Sequence, residues 1–194
     1  MSHYLPTKHE KWLTMIKQEI IDSGLIVDIL NAKTMEDVFR LLQGCSFLGS
    51  FLAYQYTIDM NYSPYINFSE NDFVKAGIGA IRGIKKCFLC YGNKCEDAIW
   101  YVKEHFNDLQ KRYGYTSFHP LLGHEPTLID LQNCFCETDK YLRAKMPELR
   151  IGNVRIKQKY MPHTDPIQFF FPPKWNIVEM YKYKPIVVPT LFDL

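Results

Sequence analysis

The strongest constraint on the fold is the stretch from Phe47 to Phe88, FLGSFLAYQYTIDMNYSPYINFSENDFVKAGIGAIRGIKKCF. It reads as two helical segments joined by an aromatic turn. Phe47 to Met60 has helical spacing, with Leu52, Tyr56 and Asp59 or Met60 on one row. Gly49 falls in the first turn of that helix, where the missing Cβ permits close backbone approach. Gln55 and Asp59 are four residues apart and share a face. A polar pair on a mostly apolar helix needs partners once it is buried. Asn61 to Asn71, with Pro64, reads as the turn, and Ser69 and Asp72 compete to cap the second helix. That second segment, Phe73 to Phe88, carries Gly77, Gly79, Arg82, Gly83, Lys85 and Lys86. A G-x-G pattern followed by cations can cradle a phosphate through backbone N–H groups and positive charge. A helical turn with a solvated basic face has the same pattern. The stretch therefore predicts the floor of a pocket with a phosphate-gripping edge.

The flanking segments predict helices around that floor. His9 to Ser23 is amphipathic, with Trp12, Leu13, Ile16 and Ile20 inward and Gly24 as its stop. Thr34 caps a helix with acids in its first turn, ended by Gly44. Glu96 to Arg112 reads as one helix with Ile99, Val102, Phe106 and Leu109 inward. Thr127 to Arg143, TLIDLQNCFCETDKYLR, places Leu128, Leu131 and Phe135 on one row. Asp130, Asn133, Glu137 and Lys140 fall on another. The fold class is mainly α, and an apolar fraction of 47% suffices for a real core. Residues 1–146 are expected to form the helical domain. Residues 147–194 are expected to form an irregular basic and aromatic arm packed on it, because seven of the eleven prolines fall there.

A net charge of +2 excludes nucleic-acid binding driven by the whole-protein field, so any such binding needs a local patch. No apolar run has the length of a membrane span, and the first residues lack an apolar signal core. No membrane partner and a cytoplasmic location are expected. Six cysteines then read as thiols rather than a disulfide framework. Cys87, Cys90 and Cys95 are a partial metal pattern without a fourth ligand, so neither metal nor cofactor is expected. His119 and His124 lie in a long loop, where a histidine either titrates near neutrality or is merely exposed.

Three segments together, FLGSFLAYQYTIDMNYSP, DFVKAGIGAIRGIKKCF and LIDLQNCFCETDKYLR, resemble the α-glutamyl/putrescinyl thymine pyrophosphorylase family, also described as the helical domain of 5-hydroxymethyluracil DNA kinases. They span roughly half of the chain. The resemblance implies a fold like that of helix-hairpin-helix DNA glycosylases and a connection with hypermodified phage DNA. Some bacterial members are anti-phage glycosylases of glucosylated hydroxymethylcytosine. The separation of Gly49 and Asp72 is similar to that between hairpin and catalytic aspartate in such glycosylases, with Asp72 opening a helix. The usual L-P-G-x-G hairpin is replaced here by QGCSFLGS, and no lysine stands where a lyase nucleophile is expected.

From this the first expectation is a monofunctional DNA N-glycosylase that flips a modified pyrimidine out of the stack and cleaves its glycosidic bond. Asp72 is the first choice for the carboxylate facing the developing sugar cation, then Glu137, then Asp59. Gln55, Gln132 and Asn133 are candidates to read the base edge, since an amide both donates and accepts. Tyr54, Tyr62 and Tyr65 are candidates to stack on the base. Gly49, Gly77, Gly79, Arg82, Lys85, Lys86, Lys140 and Arg143 are candidates for the DNA phosphates. Two alternatives stand beside it. One is a hypermodifying pyrophosphorylase or transferase acting on 5-phosphohydroxymethyluracil in DNA. The other is a non-catalytic DNA-binding module.

Overall fold

The computed structural model describes residues 7–115, 124–150 and 171–175. They form a mainly α-helical body with no β-sheet among the described residues. None of its helices is long and apolar enough to cross a membrane. Three helices start on a threonine whose partner three residues on completes a reciprocal cap. Thr7 and Glu10 open α1 (Lys8–Met15), and Thr34 and Asp37 open α3 (Met35–Gln43). Thr127 and Asp130 open α8 (Leu128–Lys145). Each pair satisfies backbone donors that the first helical turn leaves free.

Between α1 and α3 the chain departs from the expected single helix. It continues from α1 as a π-helical segment, Ile16–Asp22, turns at Gly24 (φ +82°) and forms α2 (Leu25–Asn31). Met15 is buried, while Leu13 and Ile16, expected inside, are exposed. Glu96 to Arg112 also divides at His105 into α6 (Glu96–Glu104) and α7 (Phe106–Arg112). There the His105 imidazole stacks on Tyr101 at 4.4 Å and its Nδ1 lies 2.9 Å from the Tyr101 carbonyl oxygen.

The central helix α4 (Ser50–Asn61) starts later than its apolar spacing suggests, because Phe47 takes φ +66° and Gly49 is extended. It buries Ala53, Tyr54, Thr57, Ile58 and Asn61 and packs on α3. The Asn61 amide then closes the aromatic turn, accepting the Phe68 N–H at 2.8 Å and donating to the Phe68 carbonyl at 3.1 Å.

No helix opens at Ser69 or Asp72. The Ser69 hydroxyl accepts the Asn71 N–H at 3.1 Å, and residues 73–77 form no helix before α5 (Ile78–Cys87). Tertiary partners outcompete the local cap: Glu96 Oε1 accepts the Ala76 N–H and Gln132 Oε1 accepts the Gly77 N–H, each at 3.1 Å. Lys75 pairs with Glu96 at 2.8 Å. Burial alone would raise the Glu96 pKa, but Lys75 and the backbone donors hold it below the usual carboxylate range.

The most extensive helix contact is α5 on α8. Contacts advance from Gly77 and Gln132 to Lys86 and Asp139, so the two helices run in the same sense. A Cβ on Gly79 would stand 2.4 Å from Cys136 Sγ, and one on Gly83 would stand 2.0 Å from the Phe135 carbonyl oxygen. Only glycines allow this backbone separation. Of the C-terminal arm, residues 151–170 and 176–194 lie outside the described residues. Residues 171–175 pack on the end of α4, where Lys174 Nζ donates to the Asn61 and Phe68 carbonyls at 3.0 and 3.1 Å.

Gly83→Ala is expected to destabilise the protein by about 2–3 kcal/mol, since strain against Phe135 outweighs the better helix propensity of alanine. Gly49→Ala, with nothing within 4 Å of the added carbon, is expected to cost under about 1 kcal/mol as a weaker helix cap. Urea unfolding of the two variants checks this ordering.

Candidate functional site

The α5–α8 seam holds several of the residues expected on DNA phosphates, and it withdraws them from solvent. Gly77 is buried, and its N–H, the group expected to meet a phosphate, is already donated to Gln132. Gly79 faces Cys136 within the seam. Lys86 pairs with Asp139 at 2.5 Å, with side-chain exposures of only 3% and 2%. Arg143 Nε lies 3.0 Å from the other Asp139 oxygen and is 8% exposed. Lys86 and Arg143 are thus corrected from phosphate ligands to members of a buried charge triad, because the Asp139 carboxylate holds them inside. Gln132 is corrected too. Its Oε1 accepts from Gly77, its Nε2 donates to Asn133 Oδ1 at 2.8 Å, and it is 2% exposed, so it reads no base.

The remaining predicted residues do not converge. Asp72, Asp59 and Glu137 are exposed on a turn, on α4 and on α8 respectively. Glu137 is engaged by Lys140, which raises the lysine pKa. Arg82 is half-buried, while Lys85, Lys140, Asn133 and Gly49 are exposed. Gln55 is half-buried on α4, and its buried Nε2 has no hydrogen-bond partner. Tyr65 is exposed and Tyr54 is wholly buried, with its hydroxyl 3.5 Å from the Phe73 carbonyl. Tyr54 is therefore core rather than a stacking surface. His119 lies outside the described residues. Among the described residues no three His, Cys, Asp or Glu side chains are grouped as a metal ion would require.

A different set of side chains does converge, at the C-terminal end of α4. Glu70 is 8% exposed, and its Oε2 accepts the indole N–H of Trp175 at 2.7 Å. The His124 imidazole stacks on Trp175 with ring centres 3.8 Å apart and planes 22° apart. Tyr62 meets the same indole edge-on at 5.9 Å. Among the described residues, two buried atoms of this cluster, Glu70 Oε1 and His124 Nε2, have no hydrogen-bond partner. Burial pushes the Tyr62 phenol well above its ordinary pKa, and the neighbouring Glu70 carboxylate adds to the rise. Burial also pushes up the Tyr54 phenol, with Tyr62 adding to it. Lys174, fixed on its two carbonyls, is lowered by burial and partly restored by Glu70. Unpaired buried acceptors and donors are rare in folded proteins, and each calls for a water, an ion, a ligand or a functional role.

Sequence reasoning missed Glu70, Lys174 and Trp175 as a site. Glu70 reads locally as part of a cap, and Lys174 as one of many cations in the arm. The one local signal is Pro172-Pro173, which stiffens the backbone just before Lys174 and Trp175.

Asp139→Asn is expected to lower stability by about 3–5 kcal/mol in chemical unfolding, since it leaves two buried cations without their carboxylate. In an alkaline titration followed by phenolate absorbance, Tyr54 and Tyr62 are expected to ionise later than the exposed tyrosines. Their protons are held more tightly in the folded state, so stability is expected to fall as pH rises from about 10, the unfolded value, towards the raised folded values.

Residues 2–151 match the family model described as 5-hmdU DNA kinase, helical domain. No curated protein and no solved structure matches the chain. The family description corrects the first functional expectation. A DNA kinase acts on a phosphoryl group, and the expected cleavage of an N-glycosidic bond is overturned in favour of the hypermodification alternative.

Proposed function

The chain belongs to the family of the 5-hmdU DNA kinase helical domain, and from that premise we propose that it acts in the hypermodification of 5-hydroxymethylpyrimidines in DNA. The observation that carries this reading is the match across residues 2–151, which includes α1 to α8. The reactive group is the exocyclic CH2–O of the base. In a kinase step the hydroxyl oxygen attacks the γ-phosphorus of a nucleoside triphosphate. The new O–P bond forms as the bond to the β–γ bridging oxygen breaks. The nucleoside diphosphate leaves with that electron pair, and the hydroxyl proton passes to a base.

The target base is inaccessible inside a duplex and must be extruded or single-stranded. We place it at the Glu70 cluster, whose unpaired buried atoms support a ligand there. Asp72 is assigned to take the hydroxyl proton. It is exposed and lies two residues along the same turn from Glu70, whereas Glu137 is engaged by Lys140 and Asp59 sits on α4. Lys85, Lys140 and the half-buried Arg82 are assigned to the DNA backbone, where cations contact phosphates without reading sequence.

The test uses single-stranded and duplex DNA carrying 5-hydroxymethyluracil or thymine, with γ-labelled ATP. A parallel arm carries the phosphorylated hydroxymethyl base and measures pyrophosphate and phosphate release. Label transfer or phosphate release confined to the modified DNA is the expected result, reduced at least about 100-fold by Asp72→Asn. No phosphoryl chemistry on either modified DNA would reject the reading.

A further inference from the structure

The unsatisfied atoms around Trp175 have a specific arrangement. The indole is held from one side through its N–H on Glu70 Oε2 at 2.7 Å. One of its faces carries the His124 ring at 3.8 Å, nearly parallel. Imidazole is a planar heteroaromatic ring, and a nucleobase also stacks on an aromatic side chain face to face. Yet the imidazole does not complete the bonding that its position invites. Among the described residues neither its own Nε2 nor Glu70 Oε1 makes a hydrogen bond, although both atoms are buried and the Tyr62 phenol stands beside the Glu70 carboxylate. Lys174 does not supply that bond, because its ammonium is directed at the Asn61 and Phe68 carbonyls. A side chain chosen for packing alone would be apolar here, since a buried carboxylate oxygen without a donor is costly.

We propose that His124 occupies the stacking place of a pyrimidine base, and that Trp175 and Glu70 form the site for that base. The base takes the face of the indole that His124 covers, and a ring N–H of its hydrogen-bonding edge donates to Glu70 Oε1. Uracil-type pyrimidines carry such a donor at N3, flanked by two carbonyl oxygens. Trp175 positions the carboxylate: its N–H occupies Oε2 and leaves Oε1 for the ligand. Both Lys174 and Trp175 lie beyond the residues that match the family model, 2–151. The segment at 171–175 is thus a strap that this chain adds to the helical body and that completes the base site. This inference rests on the reading that the chain acts on modified pyrimidines in DNA.

The test is equilibrium binding of the full chain to fluorescein-labelled single-stranded DNA carrying one 5-hydroxymethyluracil, or one N3-methyl-5-hydroxymethyluracil, or only an abasic site at that position. Wild type is expected to prefer 5-hydroxymethyluracil over its N3-methyl analogue roughly ten- to a hundredfold, the worth of one hydrogen bond to a charged group. Glu70→Ala is expected to remove that preference while keeping abasic-site binding. Trp175→Phe, which keeps a ring and deletes the N–H, is expected to reduce the preference. His124→Ala is expected to bind 5-hydroxymethyluracil DNA as tightly as wild type or more tightly, since it removes the ring that competes for the indole face. A merely structural histidine gives the opposite sign. Thermal unfolding of each variant establishes that it is folded. Wild type that binds DNA without N3 discrimination, or a folded Glu70→Ala that keeps the discrimination, or weaker binding by a folded His124→Ala, overturns the base site and leaves the functional reading standing. Failure of wild type to bind any of the three DNAs overturns both.

Discussion

The backbone contact between α5 and α8 is the constraint on which the rest of the molecule depends. Gly79 and Gly83 bring the two helices closer than any side chain would allow. At that distance the hydrogen-bonding groups around the seam have few choices of partner. Gln132 takes the Gly77 N–H, and Asp139 takes Lys86 and Arg143. A buried charge cluster of this kind adds little net stability over an apolar core, but a mismatched one is severely penalised. It therefore fixes the register of α5 on α8. Because Gly77 and Ala76 are held by Gln132 and Glu96, the segment leading into α5 is fixed as well. The turn that carries Glu70 is thereby tied to the helical body from its C-terminal side, as Asn61 ties it from the N-terminal side.

The polar chemistry divides into two kinds that look alike in sequence. Around α8 the buried charges are paired with one another, Lys86 and Arg143 both meeting the Asp139 carboxylate. Around Glu70 the carboxylate and the imidazole each keep an atom without a hydrogen bond among the described residues. Satisfaction, rather than burial or charge, separates a structural network from a candidate site. Lys86 and Lys174 illustrate the difference. Both are cations within polar clusters, but one neutralises a carboxylate and the other caps backbone carbonyls, leaving its neighbouring carboxylate partly free.

Much of the helical scaffold is legible in the chain alone. Thr34 and Asp37 announce α3 through a short-range reciprocal cap, and α8 runs from the cap at Thr127 through Lys145. The glycines of α5 are legible as positions of close approach but not as to what approaches. A G-x-G pattern beside cations has the same appearance whether a phosphate or a neighbouring helix fills the space, and here Phe135 and Cys136 fill it. Ser69 and Asp72 offer plausible caps, yet Glu96 and Gln132, both distant in sequence, capture the backbone donors that a helix would have used. The functional class has the same pattern. The segments that resemble the family are visible in the sequence, while the chemistry drawn from the glycosylase likeness gives way to the kinase description.

By itself the sequence determined the mainly α class, the starts of α1, α3, α6 and α8, and the family, because capping pairs, apolar periodicity and characteristic segments are short-range properties of the chain. Tertiary structure alone decided which polar residues are available. The side chains that meet at the candidate site come from positions 62, 70, 124, 174 and 175, and no spacing rule connects them. The order in which backbone and side-chain groups find partners depends on which helices touch. Packing of α5 on α8 paired Asp139 with Lys86 and Arg143, whereas the Glu70 cluster keeps two buried atoms without a hydrogen bond among the described residues.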